Sequence, residues 1–296
     1  MLSAIQIIRT IILIITGPCG IVLNSCIVAV HLSHWKKGVS LGDCDQIILI
    51  MGVTSVLLQC SLTFNGIADN FELYGHFDKE IVFVNDMFFL FLNFFWIWLT
   101  AWLAICYCLR LVNISHRFFI GLKKRISSGV SLLLLGTAVI LGVINIPIFW
   151  TLNIKAKQNI TSTLPVDFLI SDSDIKYLSF TAAFGCCLPT LITSLCMGLS
   201  LMSLLKHVQK MKQNHSQSWS GKMKTHARAC MTIFLLMALN LFFFLTIFSI
   251  ILSKFEIENN WNTLIFCIIM ASPSGQALIL LFGNSKLRSD LLKTCF

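Results

Sequence analysis

Charge is scarce in this chain. Asp, Glu, Lys and Arg make up 12% of its 296 residues, where soluble domains carry about 25%. Within the apolar stretches the main ionisable group is Asp86. Charges inside membrane spans mark ion paths and proton relays, so their scarcity speaks against a pump or coupled transporter. There is no His-Glu-x-x-His, no Gly-x-Ser-x-Gly and no pair of intramembrane aspartates. The usual zinc, nucleophile-elbow and aspartyl chemistries therefore lack their residues. No enzyme activity, cofactor or metal site is expected. Proline is rare, at five residues, and no Pro/Gly/Ser-rich linker, low-complexity tract or regular repeat occurs. One domain over residues 1–296 is expected.

What the chain has instead is hydrophobic length. Apolar residues make up 56% of it, and they fall into seven long stretches: Ile7–Leu32, Gln46–Ile67, Ile81–Tyr107, Gly129–Thr151, Tyr177–Leu205, Ala229–Leu252 and Trp261–Phe282. About 20 apolar residues cross a hydrocarbon core of ~30 Å. Only helices or closed barrels satisfy their backbone groups in lipid. The expectation is an all-α membrane protein, a seven-transmembrane helix bundle of G-protein-coupled receptor type. The first stretch is much longer than the ~7–15-residue core of a signal peptide, so it reads as a retained helix.

The basic residues give an orientation. Sixteen of the 22 Lys and Arg fall on the first, third and fifth connections and the tail, and acidic residues invert the pattern. Positive-inside counting places the amino terminus outside. The formal charge of +9 thus rings the ends of spans, which suits anionic lipid heads rather than nucleic acid. Among the sequons, Asn159-Ile160-Thr161 lies on the largest outer connection and is the expected glycosylation site, whereas those at Asn113 and Asn214 fall inside. Twelve cysteines lie nearly all within spans or at their inner ends, where most serve as small apolar packing groups. The outer connection between spans four and five has none, so the disulfide usual in rhodopsin-like receptors has no partners. Cys295, beside the basic tail, is a palmitoylation candidate.

The strongest local signal runs from span three into the second inner loop: Leu103-Ala-Ile-Cys-Tyr-Cys-Leu-Arg-Leu-Val-Asn-Ile-Ser-His116, then Leu122-Lys-Lys-Arg-Ile126. It resembles the type 2 (bitter) taste receptors and lacks the Asp-Arg-Tyr triplet of rhodopsin-like and odorant receptors. Further segments are similar to the same family in the same order. They are Asn24 in span one, Trp35-Lys-Lys-Gly38, Asp45-Gln46-Ile47, Leu188-Pro189, Lys206 to Met211, Lys224 to Thr232, and Pro273 to Leu287. Two departures suggest a divergent member. Ser55 stands where the family usually has an arginine, which removes a five-donor guanidinium and leaves the serine to bond locally. Gln276-Ala277 replaces the usual His-Ser pair, which weakens a polar contact there.

The resemblance implies a plasma-membrane receptor for bitter small molecules, coupled to a heterotrimeric G protein of the gustducin type. On span three, Asp86, Phe89, Asn93, Trp96 and Thr100 share one helical face, and a polar and aromatic stripe should face the bundle interior. Asn93 matches a family position implicated in agonist contact. Phe244, Phe248 and Phe266 could complete a mostly apolar cavity, although an aromatic lipid-facing surface is the stronger reading of the three. Agonists are expected to be weakly polar, with Asp86 attracting amines if ionised. The coupling surface is expected along Tyr107, Arg110, His116, Lys123, Lys124 and Arg125, with Lys210, Lys224, His226 and Arg228 opposite. Pro147, Pro189 and Pro273 should interrupt their helices. A vomeronasal-type pheromone receptor is the nearest alternative and a small-solute transporter a more distant one. Homo- or hetero-oligomerisation stays open.

Overall fold

The computed structural model describes residues 3–38, 40–111, 129–146, 180–181, 183–213, 221–252, 259–284 and 287–291. The described chain is helical. Seven helices are long and apolar enough to cross a membrane: α1 (Ala4–Lys36), α2 (Asp43–Asn70), α3 (Lys79–Leu111), α4 (Gly129–Ile146), α5 (Leu188–Gln213), α6 (Gly221–Leu252) and α7 (Asn259–Gly283). A 3-10 turn at Leu73–His76 precedes α3, one π turn at Ala183–Cys187 leads into α5, and a short helix at 287–291 follows α7.

Helix ends run past the apolar stretches because local chemistry caps them further out. Ser3 and Gln6 form a reciprocal capping box at the start of α1. Gln6 then reaches the Asn70 carbonyl at 3.4 Å, while the Asn70 amide donates to Thr10 at 2.9 Å. The first turn of α1 is thereby pinned to the last turn of α2. At the opposite end, His34 pairs with Asp290 of the short helix at 3.4 Å. Pro18 lies within α1 and Pro273 within α7, and both helices continue through them. Pro189 is the second residue of α5, directly after the π turn. Helix α7 continues through Pro273, whereas the α-helical pattern of the fifth span is interrupted by the π turn that ends two residues before Pro189. A proline near a helix start removes a donor that has no intrahelical acceptor anyway. Pro147 lies outside the described residues.

Burial identifies the central element. Of the α3 span 61% is buried, against 28% for α1, α4 and α5. Helix α3 packs on α2, α5 and α6, while α1 packs on α2 and α7. Its polar side chains find cross-helix partners: Trp102 donates to Thr137 of α4 at 3.0 Å, and Asn240 of α6 donates to Thr100 at 2.8 Å. The outward faces are apolar. Ile14 and Ile15 of α1, Leu132 and Leu135 of α4, and Leu191 and Leu195 of α5 are all more than half exposed. So broad an apolar exterior is a liability in water and is the proper surface toward lipid.

Candidate ligand-binding site

The interior face of α3 sorts its stripe by depth. Asp86, two turns into the helix, is exposed; Phe89 is half-buried; Asn93, Trp96 and Thr100 are buried. The deeper part of the stripe faces the bundle, as its spacing predicts, and Asp86 stands at the open amino-terminal end of the span. Around this face one apolar cluster gathers Trp96, Leu92, Phe243 and Met270, with Phe89, Phe244 and Phe266 packed against it. Four of the aromatics singled out from the sequence, Phe89, Trp96, Phe244 and Phe266, thus meet in one place, drawn from α3, α6 and α7. Beside them the Asn93 carbonyl oxygen is buried with no hydrogen-bond partner among the described residues. An unmade bond at such an atom costs about 1–3 kcal/mol, so a ligand donor would find it unspent. The Phe248 side chain lies outside the described residues.

Phe243 was missed by the sequence reading. It is fully buried and meets the Trp96 ring edge-on, with centroids 5.7 Å apart at 69°. Its neighbour Phe242 is 56% exposed, so within the Phe242-Phe243-Phe244 run the middle ring points inward. A signal existed: Leu236, Asn240 and Phe243 lie at i, i+4 and i+7, and all three are buried. Arg9 was missed as well. It bonds Asp69 at 3.1 Å and lies 5.3 Å above the Phe266 ring, joining α1 to α2 and α7.

A family model described as taste receptor protein (TAS2R) matches residues 1–296. The chain belongs to the TAS2R family. Taste receptor type 2 member 46 of Homo sapiens is 29% identical over 300 residues, covering 99% of this chain and 94% of that relative. Taste receptor type 2 member 39 of Macaca mulatta is 26% identical over 274 residues, covering 91% and 80%.

In this TAS2R chain Ser55 and Gln276 meet each other. The Ser55 hydroxyl donates to the Gln276 side-chain oxygen, and the Trp96 indole N–H donates to the same oxygen. All three side chains are fully buried. Ser55 therefore bonds across the bundle rather than locally, and Gln276 makes a polar contact in place of losing one. Together they tie α2, α3 and α7 directly beneath the aromatic cluster. Asn24 adds α1 to this layer by donating to the carbonyls of Gly20, at 2.9 Å, and Pro273, at 3.1 Å. A Cβ on Gly20 would approach the amide carbon of buried Gln59 to 2.8 Å and the Ser274 hydroxyl to 2.9 Å, so a larger residue there makes those side chains shift.

At the opposite end Tyr107 is half-buried, and Arg110 and Arg228 are exposed. Arg110 lies near the start of α2, where a Cβ on Gly42 would sit 3.5 Å from its guanidinium. His116, Lys123, Lys124, Arg125 and Asn159 lie outside the described residues, as do the side chains of Lys210, Lys224 and His226. Among the described residues no cysteine is joined in a disulfide.

Proposed function

We propose that this TAS2R chain is a plasma-membrane G-protein-coupled receptor with its amino terminus outside. Bitter, mostly weakly polar organic agonists bind in the outer half of the bundle, and a gustducin-type heterotrimeric G protein is activated at the inner face. The observation that carries this reading is the convergence of Phe89, Trp96, Phe244 and Phe266 near Asn93, whose side-chain oxygen has no hydrogen-bond partner among the described residues. A site with an apolar aromatic wall and one or two polar anchors selects by shape and orients by a single hydrogen bond. Asp86, exposed at the outer end, draws amines toward the mouth.

Binding shifts an equilibrium only through different affinities for its two states. The layer formed by Ser55, Trp96 and Gln276 is suited to carry that difference inward. It touches the aromatic cluster on one side, and its members lie on three separate helices. A change in the Trp96 ring position alters the bond that α2 and α7 share. Movement of the helices then reshapes the basic inner surface, where Arg110 and Arg228 are exposed and to which Tyr107, His116, Lys123, Lys124, Arg125, Lys210, Lys224 and His226 are assigned. The test is a calcium-mobilisation screen of bitter compounds in cells that supply a gustducin chimera. A concentration-dependent response confined to transfected cells supports the proposal. Silence to all compounds from a receptor detected at the cell surface, together with solute uptake into vesicles, contradicts it.

A further inference from the structure

Three helices meet at Gly20. A Cβ on this residue of α1 would strike the Gln59 side-chain oxygen of α2 and lie 2.9 Å from the Ser274 hydroxyl of α7. The same three helices meet again at Gly66 of α2, where a Cβ would come within 2.7 Å of Leu13, 2.8 Å of Met270 and 3.2 Å of Phe266. Gln59 precedes Gly66 by seven residues, about two turns, so it lies nearer the middle of the span than the level of Phe266. Leu58 and Leu62, on either side of Gln59 in sequence, belong to the apolar cluster that holds Trp96, Phe243 and Met270. Gln59 thus borders that cluster on the side of α1 and α7. It is fully buried, and neither its side-chain oxygen nor its nitrogen has a hydrogen-bond partner among the described residues. Its neighbours are committed elsewhere: Ser274 donates to the Thr16 carbonyl at 3.4 Å, and Asn24 donates to the Gly20 and Pro273 carbonyls.

We propose that Gln59 is a specificity-determining residue of the candidate site and selects agonists that carry an amide-type group, a carboxamide, lactam or urea, next to an aromatic ring. A primary amide presents a donor and an acceptor side by side. Its complement is a second group of the same kind, with C=O beside N–H. The ligand carbonyl accepts from Gln59 Nε2 and the ligand N–H donates to Gln59 Oε1, while the ring lies in the aromatic cluster. Rotation about the Gln59 side-chain bonds turns the amide from Gly20 toward the cluster. An ester or ether supplies no donor and leaves Gln59 Oε1 without one, and a site built to bond an N–H discriminates strongly against a ligand that lacks it. This inference rests on the reading of the site given above and narrows its ligand class.

The test is a thermal scan of purified full-length receptor in detergent with two probes. Benzamide carries the amide, and methyl benzoate keeps the ring and carbonyl but lacks the N–H. Half-maximal stabilisation of the wild type should need roughly tenfold less benzamide than methyl benzoate. In Gln59→Leu the two probes should act at equal concentrations. With no probe present, Gln59→Leu should melt roughly 2–4 °C above the wild type, because leucine occupies a similar volume without leaving a buried amide unbonded. A merely structural role for Gln59 predicts the opposite sign. Equal stabilisation of the wild type by both probes, the outcome if water satisfies the amide, overturns the selection of amides and leaves the aromatic site standing, since both probes share the ring. Stabilisation by neither probe overturns the proposal as well, and the site itself is then judged separately by agonist potency on Asn93→Ala. A lower melting temperature for Gln59→Leu overturns the unpaired state of the amide on which the proposal is founded.

Discussion

At the residue scale the centre of the molecule is Gln276, whose side-chain oxygen accepts from both Ser55 and Trp96. Removing a donor and removing the shared acceptor are different perturbations. Ser55→Ala deletes one bond and leaves Gln276 bonded to Trp96, at a cost of about 0.6 kcal/mol by the average for bonds between membrane helices. Gln276→Ala leaves a buried hydroxyl and a buried indole N–H without an acceptor, at about 1–3 kcal/mol each. The Gln276→Ala receptor should therefore melt several degrees below Ser55→Ala in a detergent thermal scan. Equal melting temperatures would remove Gln276 from its bridging role. The pairing itself was not legible in the sequence, although both positions stood out as departures. A helical face can be read from three- and four-residue spacing, but which residue on a neighbouring helix meets it depends on tilt and rotation. The same limit explains Phe243. Adjacent phenylalanines are turned about 100° from one another, and composition alone does not choose between them.

At the element scale the seven helices were legible because each must hold enough apolar length to cross lipid. Their ends were less so. Span one was read as Ile7–Leu32, whereas the helix runs Ala4–Lys36, since the Ser3–Gln6 capping box lies outside the hydrophobic run. The Pro273 carbonyl accepts from Asn24 of α1, and α7 continues through the residue. Close approach of α6 and α7 at their inner ends depends on Gly283. A Cβ there would fall on the Thr232 hydroxyl and reach the Thr232 Cβ at 2.9 Å, which is backbone-anchored and cannot swing away. Gly283→Ala should push the two helix ends apart and lower the fraction of receptor reaching the surface by severalfold, read by surface immunolabelling. Gly136→Ala, where an added Cβ meets nothing within 4 Å, should express as the wild type does. If both variants express equally, close packing at Gly283 is not needed.

At the scale of the whole molecule, an apolar exterior surrounds a layered interior: an aromatic cluster, a polar layer beneath it and a basic end. The membrane address and helix count were legible from hydropathy, and the family from motifs at the helix ends. The assembly of the site from α3, α6 and α7 was only half legible, because the α3 stripe is one face of one helix and its partners are fixed by packing. The proposed orientation places Asn159 outside. Asn159→Gln should then shift the receptor to a smaller apparent mass on a gel, matching wild type treated with peptide N-glycosidase. No shift, with the enzyme equally without effect, would leave Asn159 without a glycan and the orientation without that support.

The proposed function holds agonists beside Asn93 within the aromatic cluster. Its most direct test is the potency of a screened agonist on Asn93→Ala against wild type, by calcium mobilisation at matched surface levels. Loss of one ligand hydrogen bond is worth about 0.5–1.5 kcal/mol, so potency should fall roughly two- to tenfold while the receptor remains at the surface. Unchanged potency across every agonist tested would contradict the site.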